Sequence, residues 1–159
     1  MATDLSIRPV RTDADLKAAV ALFEAYAASL PVDLGYQDFA IELASLPGKY
    51  APPTGELLLA RDAAGKPLGC VGLRPIAPDG CCEMKRLYLL PVARGLGLGK
   101  AMTEAVIETA RRLGYRELRL DTLPSMETAI QLYQDQGFVR IAPYYAPTPA
   151  GTVFMRLRL

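Results

Sequence analysis

A glycine-rich segment, Pro91–Lys100, is the part of the chain whose composition and spacing point most directly to chemistry. It lies between an apolar stretch typical of a strand and an apolar pattern typical of a helix, and it contains Gly95, Gly97 and Gly99. Glycines at a helix start let the backbone approach a ligand, and the free N–H groups and helix dipole favour an anion. Because Arg94 and Lys100 add full positive charges, the segment predicts a phosphate or pyrophosphate site.

Two familiar phosphate-binding loops do not fit this segment. The P-loop would need glycine at position 94 and serine or threonine at position 101, where Arg94 and Ala101 stand. The dinucleotide fingerprint would need a third glycine at position 100, which is Lys100, and it belongs at the first strand-to-helix turn. Both nucleotide-binding classes are therefore excluded.

The chain of 159 residues contains no histidine. Ser-His-Asp hydrolysis, Cys-His proteolysis and most catalytic zinc sites need an imidazole, so these mechanisms are excluded and no metal is expected. The net charge of +1 argues against a nucleic-acid partner. No run of about 18 apolar residues could span a membrane, and the first residues lack a leader pattern. The three cysteines, Cys70, Cys81 and Cys82, have no C-x-x-C spacing, and we expect a cytoplasmic protein with reduced thiols and no membrane partner.

Charge is distributed unevenly along the chain. The first 60 residues hold four basic and eight acidic residues, whereas the remainder holds 14 basic and 9 acidic residues. An acidic first third beside a basic remainder could serve a site that joins a cationic ligand to an anionic one. Chance segregation of solvated charges is the alternative that the sequence leaves open.

Hydrophobic periodicity predicts the elements that position these residues. A strand over 6–9 precedes a helix capped by Thr12 or Asp13, and a shorter helix follows over 37–45. Strands over 56–60, 67–74 and 82–90 lead to the glycine segment, a helix ending at Gly114, a strand over 118–120, a helix capped by Ser125, and strands over 138–142 and 153–159. This order predicts a three-layer α/β fold, with a mixed central sheet of about seven strands and helices on both faces. With no repeat or linker, we expect a single domain over residues 1–159.

The pattern Arg94-x-x-Gly97-x-Gly99 resembles the coenzyme A pyrophosphate loop of the GNAT superfamily of acyl-CoA-dependent N-acetyltransferases. Four further segments look like family features: Ile7-Arg8-Pro9, Leu113-Gly114-Tyr115, Leu120-Asp121-Thr122, and Ala129-Ile130-x-Leu132-Tyr133-x-x-x-Gly137-Phe138. The resemblance covers almost the whole chain and is most specific over residues 83–138. It implies the acyl-CoA N-acyltransferase fold and acetyl-CoA as co-substrate.

The resemblance also implies which residues bind the co-substrate. Backbone groups of Leu87, Tyr88 and Leu89 would hold the pantetheine arm, and one N–H there would stabilise the oxyanion. The pyrophosphate would be wrapped by Arg94, Gly95, Leu96, Gly97, Leu98, Gly99 and Lys100. Many family members place an asparagine where this chain has Met126, so that hydrogen bond must come from Ser125 or be absent.

Amide formation needs a base for the amine and an acid for the leaving thiolate. Without histidine, a carboxylate or a water relay must serve as the base, and Glu83 matches a position where family members often place a catalytic glutamate. A strand glutamate paired with Lys85 or Arg119 is the alternative. Tyr133 matches the general-acid tyrosine of the family, although its spacing also suits packing beside Ala129 and Ile130. Direct attack in a ternary complex is expected, with a ping-pong route through a cysteine as the alternative.

The sequence gives two conflicting indications about the acceptor. Family pockets are lined by the first two helices and the last strands, which here offer Tyr36, Arg74, Arg86 and Tyr144, with Phe39, Tyr50 and Tyr145 nearby. The two arginines suggest an amino-acid-like acceptor, whereas the acidic first third favours a polyamine or a lysine side chain. A small-molecule amine is the expected partner; a peptide N-acetyltransferase, a non-catalytic acyl-CoA-binding regulatory domain and a homodimer stay open.

Overall fold

The structure, a computed structural model, describes residues 4–159; the first three residues, on which the leader expectation partly rests, lie outside it. The strands are β1 (Ser6–Pro9), β2 (Glu56–Arg61), β3 (Pro67–Ile76), β4 (Cys81–Leu89), β5 (Glu117–Thr122), β6 (Val139–Ile141) and β7 (Val153–Arg158). The α-helices are α1 (Asp13–Ser29), α2 (Phe39–Ala44), α3 (Leu98–Arg112) and α4 (Glu127–Asp135). The predicted element order is confirmed.

The strands form one seven-stranded mixed sheet in the order β1-β2-β3-β4-β5-β7-β6. Only β4 and β5 pair in parallel; all other neighbours are antiparallel. The parallel pairing joins Cys81–Glu83 to Glu117–Arg119 and then stops, although β4 continues to Leu89. Along residues 84–89, the described chain supplies no strand on that side of β4. The sheet therefore opens between β4 and β5.

Side chains alternate between the two faces of the sheet, and a helix layer covers each face. On β2, Leu58 and Ala60 pack in the larger core with α3, whereas Leu57 and Leu59 pack in a smaller core with α1. We call these the α3 face and the α1 face. The prediction of helices on both faces is confirmed.

The same alternation sorts the residues of β4 and β5. Cys82, Met84, Leu118 and Leu120 belong to the core on the α3 face. The intervening residues therefore project to the α1 face: Glu83 and Lys85 from β4, and Arg119 and Asp121 from β5. Because Glu83 is in register with Arg119, these four charged side chains come together beside the opening of the sheet.

A β-bulge interrupts the alternation at Arg86. The β3–β4 register passes from Gly72–Lys85 to Cys70–Tyr88, so β4 has one residue more than β3 over this step. Arg86 has a φ of 62°, in the left-handed region. As a result, Lys85 and Arg86 are consecutive in sequence, yet both reach partners on the α1 side of the sheet.

Local signals set most helix ends and fail at two of them. Thr12 forms the capping box of α1 with Asp15, as the sequence suggests. The predicted second helix over 37–45 is instead split, because Asp38 has a φ of 54° between a 3₁₀ turn, Leu34–Gln37, and α2. The prediction that Ser125 caps α4 is wrong: Met126 occupies the N-cap position and makes no side-chain cap.

Candidate active site

The glycine segment forms an open loop of backbone donors at the start of α3. Gly95 and Gly97 have φ values of 81° and 76°, which other residues adopt only with strain. Within residues 4–159, no hydrogen bond is donated by the amides from Gly95 to Lys100; the first amide of the turn to find a partner is that of Ala101, which donates to Gly97. The helix has no side-chain cap. Six consecutive N–H groups are therefore free to bind an anion.

Arg94 ties this loop to the end of β4. Its Nε donates to the carbonyl of Leu89 at 3.2 Å, and its guanidinium lies 5.8 Å from the centre of the Tyr88 ring. Lys100 extends into solvent near Glu104, with 4.0 Å between their charged atoms. Leu87, Tyr88 and Leu89 lie on the segment of β4 that has no β5 partner. The backbone edge predicted to bind pantetheine thus leads directly into the loop.

A cavity of about 40 Å³ lies at the opening between β4 and β5. Its wall takes Met84, Leu120 and Tyr133 from the α3 side and Lys85 and Asp121 from the α1 side. A space of this size holds about three water molecules, comparable to the three heavy atoms of an acetyl group. The opening of the sheet therefore connects its two faces through a space of acetyl size.

Tyr133 is packed and also lines this cavity. Its ring contacts Phe138, with 5.8 Å between ring centres, and the residue is buried on α4. Burial raises the pKa of Tyr133, and Tyr26 and Asp121 add to the increase. A hydroxyl in this environment stays protonated at neutral pH and can donate a proton into the cavity.

Glu83 is buried beside the cavity but is not part of its wall. Its Oε1 accepts from Nε and Nη2 of Arg74 at 3.0 and 2.9 Å, and its Oε2 accepts from the Tyr144 hydroxyl. The Lys85 ammonium lies 3.8 Å away. Of the two predicted pairings, the one with Lys85 is present, whereas Arg119 pairs with Glu117 instead.

Asp121 is the carboxylate that lies in the cavity wall. Its Oδ1 accepts from Nζ of Lys85 at 3.2 Å, and its Oδ2 accepts from the Tyr145 hydroxyl and from Nε2 of Gln37 at 3.1 Å. Lys85 therefore bridges two buried carboxylates, and the Tyr144–Tyr145 pair in the β6–β7 connection contacts both of them. Both tyrosine rings pack against Phe154 of β7, which fixes this connection over the site.

Arg86 is held within the protein by its own partners. Its Nε and Nη2 bind the Glu42 carboxylate at 2.8 and 3.2 Å, and its Nη1 binds Oε1 of Gln37 at 2.6 Å. The guanidinium also lies 5.0 Å from the centre of the Phe39 ring. Burial opposes the charge, but Glu42 outweighs it, and the pKa of Arg86 is raised. Of the two arginines predicted to bind an acceptor, this one already has a bidentate carboxylate partner.

A second, larger pocket of about 410 Å³ adjoins the cavity on the α1 face. Tyr36, Gln37 and Lys85 line both spaces, so the two spaces share a wall. Arg74 and Tyr145 also line the pocket. The fully buried Tyr50 contributes a hydroxyl without a hydrogen-bond partner among the described residues, although the neighbouring Glu42 carboxylate helps burial to raise its pKa.

The structure brings together most of the residues that the sequence singled out. Tyr36, Leu87, Arg86 and Tyr133 line the cavity, Tyr36 and Arg74 line the pocket, and Tyr144 reaches Glu83. Ser125 is exposed just before α4. The sequence analysis named Lys85 only as a possible partner of Glu83, and it assigned no role to Asp121, Gln37 and Glu42. A period of two along β4 and β5 would have found Asp121 beside Lys85, whereas Gln37 and Glu42 depend on the position of α2.

The three cysteines are buried, free thiols. Burial raises the pKa of Cys70 and Cys81, and it raises that of Cys82 to about 12. In the part of the chain from residue 4 onward, no three acidic, cysteine or histidine side chains are grouped to hold a metal. No helix within that part is long and apolar enough to cross a bilayer.

Comparison with known proteins identifies the family. The profile of the Acetyltransferase (GNAT) family matches residues 14–138, and the chain belongs to this family. An uncharacterized N-acetyltransferase of Schizosaccharomyces pombe is 40% identical over 157 residues, which cover 99% of this chain and 96% of that protein. A GNAT-family acetyltransferase of Staphylococcus aureus Mu50 has the same fold, with a TM-score of 0.80 at 17% identity over 98% of this chain and 99% of that chain.

Proposed function

We propose that this GNAT protein is an N-acetyltransferase that transfers an acetyl group from acetyl-CoA to a primary amine of a small molecule. The observation that carries the proposal is the opening between β4 and β5. It joins a loop of six free amides to a buried acid–base cluster through a space of acetyl size.

The residues present fit coenzyme A. The amides from Gly95 to Lys100, with the charges of Arg94 and Lys100, would bind the pyrophosphate. The edge of Leu87, Tyr88 and Leu89 that has no β5 partner would bind the pantetheine arm, and the exposed Ser125 would contribute a hydroxyl. The thioester supplies the activated acetyl group; the chain's own residues must bind and orient the amine and move its protons.

The state of the three cysteine thiols favours direct attack of the amine on the thioester over a ping-pong route. A ping-pong route needs an accessible thiolate, and all three thiols are buried with raised pKa values. No histidine is available to activate any of them.

A buried carboxylate would accept the proton of the attacking amine. Both carboxylates accept hydrogen bonds, Asp121 from Lys85, Tyr145 and Gln37 and Glu83 from Arg74 and Tyr144, but only Asp121 belongs to the wall of the cavity that Tyr133 lines. We therefore assign the base to Asp121, with Glu83 fixing Arg74 and Lys85. The sequence-based assignment to Glu83 acting through a water is the alternative. Tyr133 would donate a proton to the leaving thiolate.

Thiol release from acetyl-CoA tests the function over a panel of amino acids, polyamines, aminoglycosides and peptides, with mass spectrometry of the acetylated product. The proposal expects release with at least one small amine. Release with peptides alone would identify a protein acetyltransferase. Thermal stabilisation by acetyl-CoA without release on any amine would indicate a regulatory acyl-CoA-binding domain.

The proposal also covers the cellular location and the oligomeric state of the protein. Three unpaired thiols suit a reducing compartment, so we place the protein in the cytoplasm. A homodimer is also proposed, on the resemblance alone. Cell fractionation tests the first, and light scattering of the purified chain tests the second.

A further inference from the structure

The large pocket beside the cavity has a balanced set of charges. Three acid–base pairs lie in or directly behind its wall: Glu42 with Arg86, Glu83 with Arg74, and Asp121 with Lys85. Two exposed residues of opposite sign, Asp38 and Lys49, complete the wall. A polyamine or a dianion would bring several charges that nothing here compensates. The balance instead suits a ligand with no net charge.

Despite this balance, the pocket has hydrogen-bond donors that are not fully used. Nε and Nη2 of Arg74 bind the Glu83 carboxylate. Its Nη1 lies 4.0 Å from an oxygen of the Glu42 carboxylate, which is beyond hydrogen-bond distance. Tyr50 is 99% buried, and its hydroxyl has no hydrogen-bond partner among the residues that the structure describes. A buried hydroxyl without a partner is costly unless a ligand supplies the acceptor.

The cationic side chain of Lys49 stands at the mouth of the same pocket. Among the described residues it forms no ion pair. Nη1 of Arg74, the Tyr50 hydroxyl and the Lys49 ammonium are therefore donors that have no acceptor within hydrogen-bond distance among the described residues. A carboxylate accepts hydrogen bonds and donates none, so it is the group that these three donors would bind.

The pocket adjoins the cavity on the side of Lys85. Lys85, Tyr36 and Gln37 belong to both walls, and Asp121 lies beyond them beside Tyr133. A ligand that places a carboxylate at Arg74 and Tyr50 therefore has its other end directed towards Asp121. That end must carry the reacting amine.

We propose that the acceptor is a zwitterionic amino acid, whose carboxylate is bound by Arg74, Tyr50 and Lys49 and whose amine reaches Asp121. This proposal rests on the acetyl transfer proposed above. The amine nitrogen forms a bond to the acetyl carbon and the carbon–sulfur bond breaks. Asp121 takes the first proton of the ammonium and passes it to water. Tyr133 donates its proton to the leaving thiolate. It then takes up the second proton that the nitrogen loses.

Matched pairs of acceptors test the proposal. Thiol release is measured for the α-amino acids, β-alanine and 4-aminobutyrate, each beside its carboxamide and its decarboxylated amine. At least one acid should exceed both partners by about 100-fold in kcat/KM, as expected when charge-assisted hydrogen bonds are lost. Equal or faster release from the carboxylate-free partners overturns the proposal and leaves acetyl transfer standing. No release from any compound while acetyl-CoA binds overturns both.

Tyr50→Phe gives an independent test, because it removes the partnerless hydroxyl and keeps the ring. It should raise KM for the best amino acid about tenfold, leave kcat unchanged, and leave KM for the carboxylate-free partner unchanged. Tyr115→Phe is the matched control, since its hydroxyl binds the carbonyl of Thr54 away from the pocket; all constants should stay the same. An unchanged KM in Tyr50→Phe would overturn the role of the hydroxyl in binding the acid.

Discussion

The glycine loop and the acceptor pocket are built in opposite ways. The loop is a contiguous run of backbone, Gly95–Lys100, whose amides are left without partners. The pocket is built from residues of α2 and the turns on either side of it, of β3 and β4, and of the β6–β7 connection, and its Glu42, Arg74 and Lys85 side chains are already paired. The loop can therefore bind an anionic group whatever molecule carries it. The pocket instead selects its ligand through the few hydrogen-bond donors that have no partner within the protein.

This difference determines how each region responds to substitution. In the loop, the backbone amides are the main donors and the charges of Arg94 and Lys100 add to them, so a change of backbone conformation should have the largest effect on binding. In the pocket, each charge is balanced by another, so neutralising one exposes its partner to a low-dielectric surrounding. Between the two regions lies the cavity, whose wall includes Asp121 and Tyr133.

The largest effect is expected from Asp121→Asn. It removes the carboxylate in the cavity wall and keeps its shape, and kcat/KM for the acceptor should fall about 1000-fold. The isosteric Glu83→Gln should cost about tenfold, because Glu83 acts through Arg74 and Lys85. Initial rates give both values, and calorimetry should show unchanged acetyl-CoA affinity. The reverse order would assign the base to Glu83.

Glu42→Gln tests the balance of charges in the pocket wall. Arg86, 98% buried at its side chain, would lose its anionic partner, and the free energy of unfolding should fall by about 3 kcal/mol. For a chain of this length the melting temperature should fall by roughly 6–12 °C in a calorimetric scan. The control Glu104→Gln disrupts the exposed 4.0 Å contact with Lys100, and it should change the melting temperature by less than about 1 °C. Equal shifts would show that the buried pair contributes nothing beyond a surface one.

Gly97→Val tests the loop. Valine resists a φ of 76°, so the loop should change conformation and the dissociation constant of acetyl-CoA should rise about 100-fold. Gly65→Val is a close control: its φ is 84°, and a Cβ there also meets open space, but it lies in the β2–β3 turn. Calorimetric titration should give the control the parent affinity. A similar loss in both variants would mean that general destabilisation accounts for it.

Tyr133→Phe should lower kcat about 30-fold, less than the loss expected from Asp121→Asn. Burial places the pKa of Tyr133 above the ordinary value of 10, so the hydroxyl keeps its proton as the pH rises. The kcat of the parent enzyme should therefore show no decline due to this group up to about pH 9.5. The pKa of Tyr26 in the same wall is raised to about 12, so it should not titrate there either. A decline of the parent kcat centred near pH 8, absent from Tyr133→Phe, would contradict the raised pKa of Tyr133, whereas an unchanged kcat in Tyr133→Phe would contradict its role as the acid.

The uneven charge of the chain also finds a physical explanation. Acidic residues of the first third pair with basic residues of the remainder, as in Asp15 with Arg61 at 2.7 Å and Glu42 with Arg86 at 2.8 Å. The asymmetry thus reflects contacts between α1 or α2 and the sheet. Neither a polycationic acceptor nor chance segregation is needed to explain these two pairs.

The sequence by itself determined the element order, the mixed sheet and the glycine loop. These features rest on local signals: hydrophobic period, the capping box at Thr12, and glycines at positive φ. It also excluded histidine chemistry, which leaves proton transfer to carboxylates, phenols and water. Boundaries failed where local signals were weak, as at Asp38 and Met126.

Only the tertiary structure decided how the charged side chains share the site. The bulge at Arg86 directs that guanidinium to Glu42, and the fold brings Gln37, Tyr145 and Lys85 to Asp121 from positions up to 108 residues apart. Such contacts depend on where α2 and the β6–β7 connection lie, which no local pattern encodes. The choice between Glu83 and Asp121 as the carboxylate in the cavity wall is settled by that packing, because period two places both on the same face.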